Sequence, residues 1–460
     1  VGNVEIHRTT NGSTFSPLRN SAGPYGGTTA WDSPMHVDYH EFAFAPSNPN
    51  VLYVGNDGGV FKSVDGGNTF SHANNGLNTL QLYRVASHPT NQNILIGGAQ
   101  DNGVFATLDG GATNWVLEST GDGMELFYDR ANPNTIFITT QNGSIQRSTN
   151  AGLNWSGISV GTDSYAWTSP FWQHTTNSAT IYIAGRRLWR STNSGTNWTA
   201  VTTNITASSI TSVSQSSVNP NNMILVASEY SNSPQLFVST DEGLTWTVRT
   251  IPGTQRYSPR VLMHPTQANT CYLVKSGFGT GKLFRSTDMG VTWTDLSGDL
   301  PDVPASDVFV DPLNIESIYL ANDLGVYQSS NDGVSWARLS NGMPVVPVLD
   351  FSYFQSGTTR LLRAATHGRG VYQVNLLPPQ TGITLSGNVT YNNSSNTPLS
   401  NVNINLTPGT FSGVTNSSGN YSISSITNNN YNFIPTTNRD WGGVTGSDVR
   451  DRKSTRLNSS

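Results

Sequence analysis

Ser286-Thr287-Asp288-Met289-Gly290-Val291-Thr292-Trp293 is one copy of a phrase, Ser/Thr-x-Asp/Asn-x-Gly-x-x-Trp/Phe, that recurs through a chain of 460 residues. Clean copies begin at Ser63, Ser148, Ser191, Ser239, Ser286 and Ser329 and end at Phe70, Trp155, Trp198, Trp246, Trp293 and Trp336. A copy from Thr107 to Trp115 has one residue too many, and one around Thr10, Asn11 and Phe15 has one too few. The starts at 107, 148, 191, 239, 286 and 329 set a period of about 41 to 48 residues, which means one supersecondary unit per copy.

The residue types give the phrase its job. An Asp or Asn carboxyl or amide oxygen accepts backbone N–H groups two or three residues on, and Gly takes the positive φ of a tight turn. The closing aromatic is then free to bury its ring between neighbouring sheets. Upstream of each copy stand two short apolar runs separated by a break, as in Val51-Leu52-Tyr53-Val54 and Val60-Phe61-Lys62, or Ser317-Ile318-Tyr319-Leu320 and Val326-Tyr327-Gln328. Runs this short, rich in β-branched and aromatic residues and apolar on both faces, are strands covered on both sides. The expectation is an all-β chain whose units are four-stranded blades stacked radially, a β-propeller of about seven to eight blades over residues 1–376. Two readings of residues 1–18 stay open: they complete the blade begun near Pro347, or they end a separate upstream propeller.

The phrase resembles the Asp-box of sialidases, sortilin-type receptors and two-propeller xyloglucan-cleaving glucanases. His36-Val37-Asp38-Tyr39-His40, Gly55-Asn56-Asp57-Gly58-Gly59-Val60, Gly97-Gly98-Ala99-Gln100-Asp101-Asn102-Gly103 and Ala365-Thr366-His367-Gly368-Arg369-Gly370-Val371-Tyr372 resemble sortilin-like repeat proteins of secreted bacterial origin. The resemblance implies the fold; the box is scaffold in each of these families and assigns no activity.

After a Pro linker at 377–380 the texture changes. Ile383–Tyr391, Pro398–Leu406 and Gly419–Ile423 alternate with period two and resemble a carboxypeptidase-regulatory-like, or carbohydrate-binding-like, β-sandwich over 381–436. Residues 437–450 look like the start of a dockerin-like module, without the Asp-x-Asn-x-Asp-Gly loop that calcium needs. Residues 451–460 read as translated sequencing adapter, and the chain opens in mid-strand, so it is read as a fragment of a secreted protein whose signal peptide lies upstream.

Composition narrows the function. Charged residues are 12% of the chain, the net charge is −5, and only Lys62, Lys275 and Lys282 precede the last ten residues, so no basic stripe exists to track phosphates. No apolar run reaches membrane-spanning length. The single cysteine, Cys271, sits in an apolar strand and is expected to be a core thiol.

Three groups of residues are candidates for a site. On a strand, His36, Asp38 and His40 would share one face and suit proton transfer or a metal; the competing reading has the histidines bonding backbone. Trp31 lies in the long preceding stretch, 16–34, and is a candidate ligand contact with them. Asp57, Asp101 and Asp323 occupy one repeated place, the link between second and third strands, where carboxylates from several blades gather at one rim; glycoside hydrolysis needs two of them. Against this, Asp-Gly and Asp-Asn also make ordinary turns. Trp167 and Trp172, in the aromatic maximum Tyr165–His174, would stack on sugar if exposed, and Arg369 is a candidate ligand contact. Tyr83-Arg84-Val85 is a faint echo of the sialidase Tyr/Phe-Arg-Ile-Pro motif, lacking its Pro. The expected role is recognition of extracellular polysaccharide or glycoprotein by a monomer that needs no cofactor and no metal, with no catalytic residue assigned beyond Asp38, Asp57, Asp101 and Asp323 as candidates. A glycoside hydrolase and a peptide-binding, sortilin-like propeller are the alternatives.

Overall fold

A computed structural model describes residues 6–17, 35–112, 115–228, 233–340, 342–376, 383–391, 393–407, 411–426 and 431–437. The chain divides into a unit spanning Val1–Leu376 and a second spanning Leu377–Ser460. The first holds seven four-stranded antiparallel sheets and one three-stranded sheet, each an up-and-down meander in sequence order. We number them as blades. Blade 1 runs from Tyr39–Ala45 to Ser71–His72, blade 2 from Leu82–Ser87 to Val116–Ser119, and blade 3 from Gly123–Tyr128 to Ser156–Ile158. Blades 4, 5, 6 and 7 open on Phe171–Gln173, Ile210–Gln215, Arg260–Met263 and Ala305–Val310. Blade 8 has only Val348–Ser356, Thr359–Thr366 and Val371–Asn375.

The box does what its chemistry dictates, and one thing more. Ser286 Oγ accepts the Gly290 N–H at 2.7 Å and donates to Asp288 Oδ1 at 2.8 Å, while Asp288 accepts from Val291 N, Thr292 N and Thr292 Oγ1. These bonds, that from the Thr292 hydroxyl first, hold the Asp288 carboxyl down at about 2. Gly290 has φ +78°, as expected, but Met289 before it is also left-handed at φ +55°, and so are Ala151, Ser194, Glu242 and Asp332 at the same place in other boxes. The turn thus takes two left-handed residues in succession. The aromatic ends pack between blades: Trp198 against Phe137 and Phe171, Trp246 against Leu188 and Leu225, and Trp336 against Tyr272 and Leu320.

Blades 2 to 8 touch in a closed cycle, blade 8 lying directly against blade 2. At that closure Val85 N donates to Asp350 Oδ2 at 3.1 Å, Ser87 N to Ser352 Oγ at 3.0 Å, and Gly368 N to Leu80 O at 3.1 Å. The propeller is therefore a ring of seven, and blade 1 stands outside it. Its own cluster of Met35, Leu52, Val54, Phe61 and Phe70 covers one face. On its inner strand Phe42, in the register position of the buried Val85 of blade 2, is 43% exposed, and Phe44 is 62% exposed.

This corrects the first reading of residues 1–18. Among the described residues of this stretch, 6–17, none adds a strand to blade 8: His7–Arg8 pairs with Ser16–Pro17, and Arg8 donates to Gly66 O and Asn68 Oδ1 of blade 1. The short box closes on Thr9 Oγ1 and Asn11 Oδ1, and its Phe15 is 61% exposed, wedged between no blades.

Cys271 is fully buried, and burial pushes its thiol up to about 12, as expected of a core residue. In the second unit, Ile383–Asn388 pairs with Asn420–Ile426, and Asn403–Thr407 pairs with Ser412–Val414 and Asn432–Thr436. Val402, Ile404, Leu406, Ile423 and Ile426 fill the space between these two small sheets. Residues 438–460, which hold nearly all of the dockerin-like and adapter-like segments, lie outside the described residues.

Candidate functional site

In an up-and-down blade the links from second to third strand and from one blade to the next emerge on the same face. Asp57, Asp101 and Asp323 all sit in such second-to-third links, as their repeated spacing implies. The structure joins two of them through neighbours. Asn102 Nδ2 donates to Asp57 O at 2.9 Å, Asp101 N donates to Asp122 Oδ1 at 2.9 Å, and Asp122 N donates to Gln141 Oε1 at 3.1 Å. Asp101 has φ +57°, and its carboxyl is raised by burial, with the Asp122 and Asp57 charges adding to the rise. Asp323 is raised by burial alone, its N–H bonded to Pro304 O. It is a turn residue of blade 7.

The three-residue face expected of His36, Asp38 and His40 does not form. The strand starts at Tyr39, and Asp38 is left-handed at φ +61°, which interrupts the alternation. His36 turns to backbone: Nδ1 lies 2.9 Å from Val37 O and Nε2 2.9 Å from Asp101 O. Carbonyl oxygens only accept, so whichever ring nitrogen carries the proton is directed at backbone. His40 instead pairs with Asp57 through Nε2 and Oδ1. Among the described residues no group of three or more His, Cys, Asp or Glu could hold a metal ion.

The aromatic segment divides. Trp172 stacks on Tyr182 with centroids 5.1 Å apart and packs into the cluster between blades 4 and 5, so it is withdrawn as a sugar platform. Trp167 is 37% exposed, on the link between blades 3 and 4, and its carbonyl accepts Asn142 N at 3.1 Å. Across blade 8, His367 Nε2 lies 3.1 Å from Gln100 Oε1, which sets the exposed Arg369 two residues on at the same rim. Trp31 lies outside the described residues.

A second constellation was missed by the sequence reading. Arg84 of blade 2, Glu125 of blade 3, Arg260 of blade 6, Asp307 of blade 7 and Asp350 of blade 8 meet on the innermost strands. Arg84 Nε donates to Glu125 Oε1 at 2.6 Å, Arg260 Nε lies 2.8 Å from Asp307 Oδ1, and Arg260 Nη2 lies 2.5 Å from Asp350 Oδ1. In blades 2, 3, 7 and 8 this residue stands two places after the first of its strand, at a shift in register with the second strand, and in blade 6 Arg260 opens the strand. Asp307 and Asp350 also cap the next blade, accepting Phe351 N at 2.8 Å and Val85 N at 3.1 Å. Ser212 does the same for Val261 N at 3.1 Å. Burial pushes the Asp350 carboxyl up to about 7, against the pull of Arg84 and Arg260. Arg84 thus belongs to the bore of the ring and not to a sialidase-type arginine cluster.

Residues 186–300 match the family model described as Sortilin, neurotensin receptor 3 (Sortilin-Vps10). No curated protein matches the sequence. Among solved structures the chain is similar to YCF48 from Cyanidioschyzon merolae, at 16% identity and a TM-score of 0.49 over 65% of this chain and 96% of that one. YCF48 bound to D1 peptide gives 17%, 0.49, 65% and 94%. The GH74 enzyme of Niastella koreensis gives 18% identity and a TM-score of 0.38 over 85% of this chain and 72% of that one. These likenesses concern fold and carry no residue roles to this chain. No helix among the described residues is long and apolar enough to cross a membrane.

Proposed function

We propose that this protein is a secreted bacterial propeller that binds extracellular polysaccharide, or the glycans of a glycoprotein, as part of a system that degrades such polymers. One observation carries the reading. A row of residues linked by hydrogen bonds, most of them between side chain and backbone, runs from His40 and Asp57 of blade 1 through Asn102, Asp101 and Asp122 to Gln141 on the rim of the ring, and the next residue bonds the carbonyl of the partly exposed Trp167. Sugars are held by such pairings of fixed polar groups with an aromatic face, and every polar group here is oriented by a neighbour before a ligand arrives. The low charge content suits a neutral ligand.

A glycan array probed with the full chain tests this. Saturable binding without reducing-sugar release, weakened about tenfold by Trp167→Ala, is the expected result. Indifference to all glycans refutes it. The hydrolase reading is favoured by one feature, the upward shift of the Asp101 carboxyl beside Asp122, which is what a general acid requires. Sugar release abolished by Asp101→Asn would replace the binding reading with that one.

A further inference from the structure

Each junction from blade 2 to blade 7 is filled by the indole that closes the later blade's box: Trp155, Trp198, Trp246, Trp293 and Trp336 pack in turn against the clusters between successive blades. The junction between blades 7 and 8 has no such ring among the described residues, because blade 8 has no box. Blade 7 reads Gly325-Val326-Tyr327-Gln328 and continues into Ser329 and its box; blade 8 reads Gly370-Val371-Tyr372-Gln373 and continues as Val374-Asn375-Leu376. The repeat is thus followed to the end of the third strand and then dropped.

Among the described residues this leaves an unpaired strand edge and, beside it, a pocket. Gly370 O accepts Thr366 N and Leu376 N donates to Arg360 O, so Gly370, Tyr372, Val374 and Leu376 bond inward to the Thr359–Thr366 strand. By antiparallel alternation, the N–H and C=O groups of Val371, Gln373 and Asn375 point away from the blade. Among the described residues no strand pairs with them. Beside this edge lies an apolar pocket open to solvent, lined by Leu339 and Met343 of blade 7 and by Phe351, Leu362 and Tyr372 of blade 8. One blade earlier, Leu296 stands in the repeat position of Leu339, and its carbonyl accepts the Trp336 indole N–H at 2.9 Å. The pocket is the place that a box indole fills at the other junctions.

We propose that the outer edge of blade 8 docks an extended strand of a partner polypeptide, paired antiparallel to Val371–Asn375, with an aromatic side chain inserted between Leu339 and Tyr372. Main-chain pairing supplies affinity for any extended segment, and the pocket selects those with a large ring at the right offset. The site takes peptide, stands apart from the glycan-binding rim, and does not depend on that reading.

The test uses the full chain and a synthetic peptide with the sequence of residues 329–340, the box and outer strand of blade 7, followed by amide hydrogen exchange. Saturable slowing of exchange at Val371, Gln373 and Asn375 is expected, with binding at least about tenfold weaker for the same peptide carrying Trp336→Ala. Leu339→Arg in the protein is expected to weaken binding to the same extent; should that variant not fold, the two peptides still decide. The proposal is overturned by absence of protection at millimolar peptide, by equal affinity of the two peptides, or by protection confined to other strands. It is also overturned if the edge amides are already slow in dilute protein, or become slow only as the protein self-associates, since the occupant would then be the chain itself or a second copy.

Discussion

Removal of one wedge measures how much the blade junctions contribute. Trp336 is 8% exposed, packs against Tyr272, Leu320 and Val308, and donates its indole N–H to Leu296 O. Trp336→Ala deletes a ring whose loss from a core costs about 3–5 kcal/mol, and it leaves the Leu296 carbonyl unbonded, a further term of about 1 kcal/mol. Trp336→Phe keeps most of the apolar contact and loses the bond, so about 1–2 kcal/mol is expected. The matched control is Phe15, the same motif position in the short box, which is 61% exposed; Phe15→Ala is expected to cost less than about 0.5 kcal/mol. Urea titrations of the three variants, followed by circular dichroism and compared at a common slope, read the differences as shifts in midpoint. A Trp336→Ala midpoint within about 1 kcal/mol of the Phe15→Ala value would refute the claim that box aromatics hold the blades together.

Three further outcomes are expected. Asp350 has a folded pKa raised to about 7, above its unfolded value, so the folded state holds a proton that the unfolded chain has released between about pH 4 and 7 and stability falls as pH rises through that window; Asp350→Asn should remove this component, and an unchanged pH dependence of the urea midpoint would count against it. His264 is held down to about 4 by burial and by Arg285, and its Nδ1 accepts Thr266 N at 3.1 Å, which needs the neutral ring. Its contribution is present above about pH 6.5 and lost as pH falls through 4, so His264→Asn should flatten the acid limb of the stability curve, and a steeper limb would exclude the assignment. Cys271, buried with its thiol raised to about 12, should resist iodoacetamide at pH 8 in the native protein and react fully in denaturant; labelling of native protein would place it elsewhere.

The blades were legible because a turn that needs Ser, Asp and Gly at fixed offsets writes itself into the sequence, and the copy at Ser286 is bonded as its residues dictate. Which sheets join the ring was not legible. That choice is made by residues such as Asp350 and Val85, 265 positions apart, whose pairing leaves no local trace. The same separation hid the ionic cluster in the bore: Arg84, Glu125, Arg260, Asp307 and Asp350 each look like one polar residue near a strand start, and nothing local joins them. Repetition located Asp57, Asp101 and Asp323 in links between second and third strands, while the expected face of His36, Asp38 and His40 failed because alternation predicts direction only through extended residues, and Asp38 is not one.

Successive ring blades from 2 to 8 are joined by continuous main chain, whereas blade 8 is fastened to blade 2 only by lateral bonds such as Asp350 to Val85 N and Arg363 Nη1 to Ser87 Oγ at 2.7 Å. The chain also arrives from blade 1 into blade 2 and departs from blade 8. Both tethers therefore attach on either side of one seam, and a pull exerted through flanking modules is delivered there as an opening load. The wheel has a built-in parting line, held by side-chain latches, by the main-chain bond from Gly368 N to Leu80 O and by the packing of Leu82 and Val85 with Ala365.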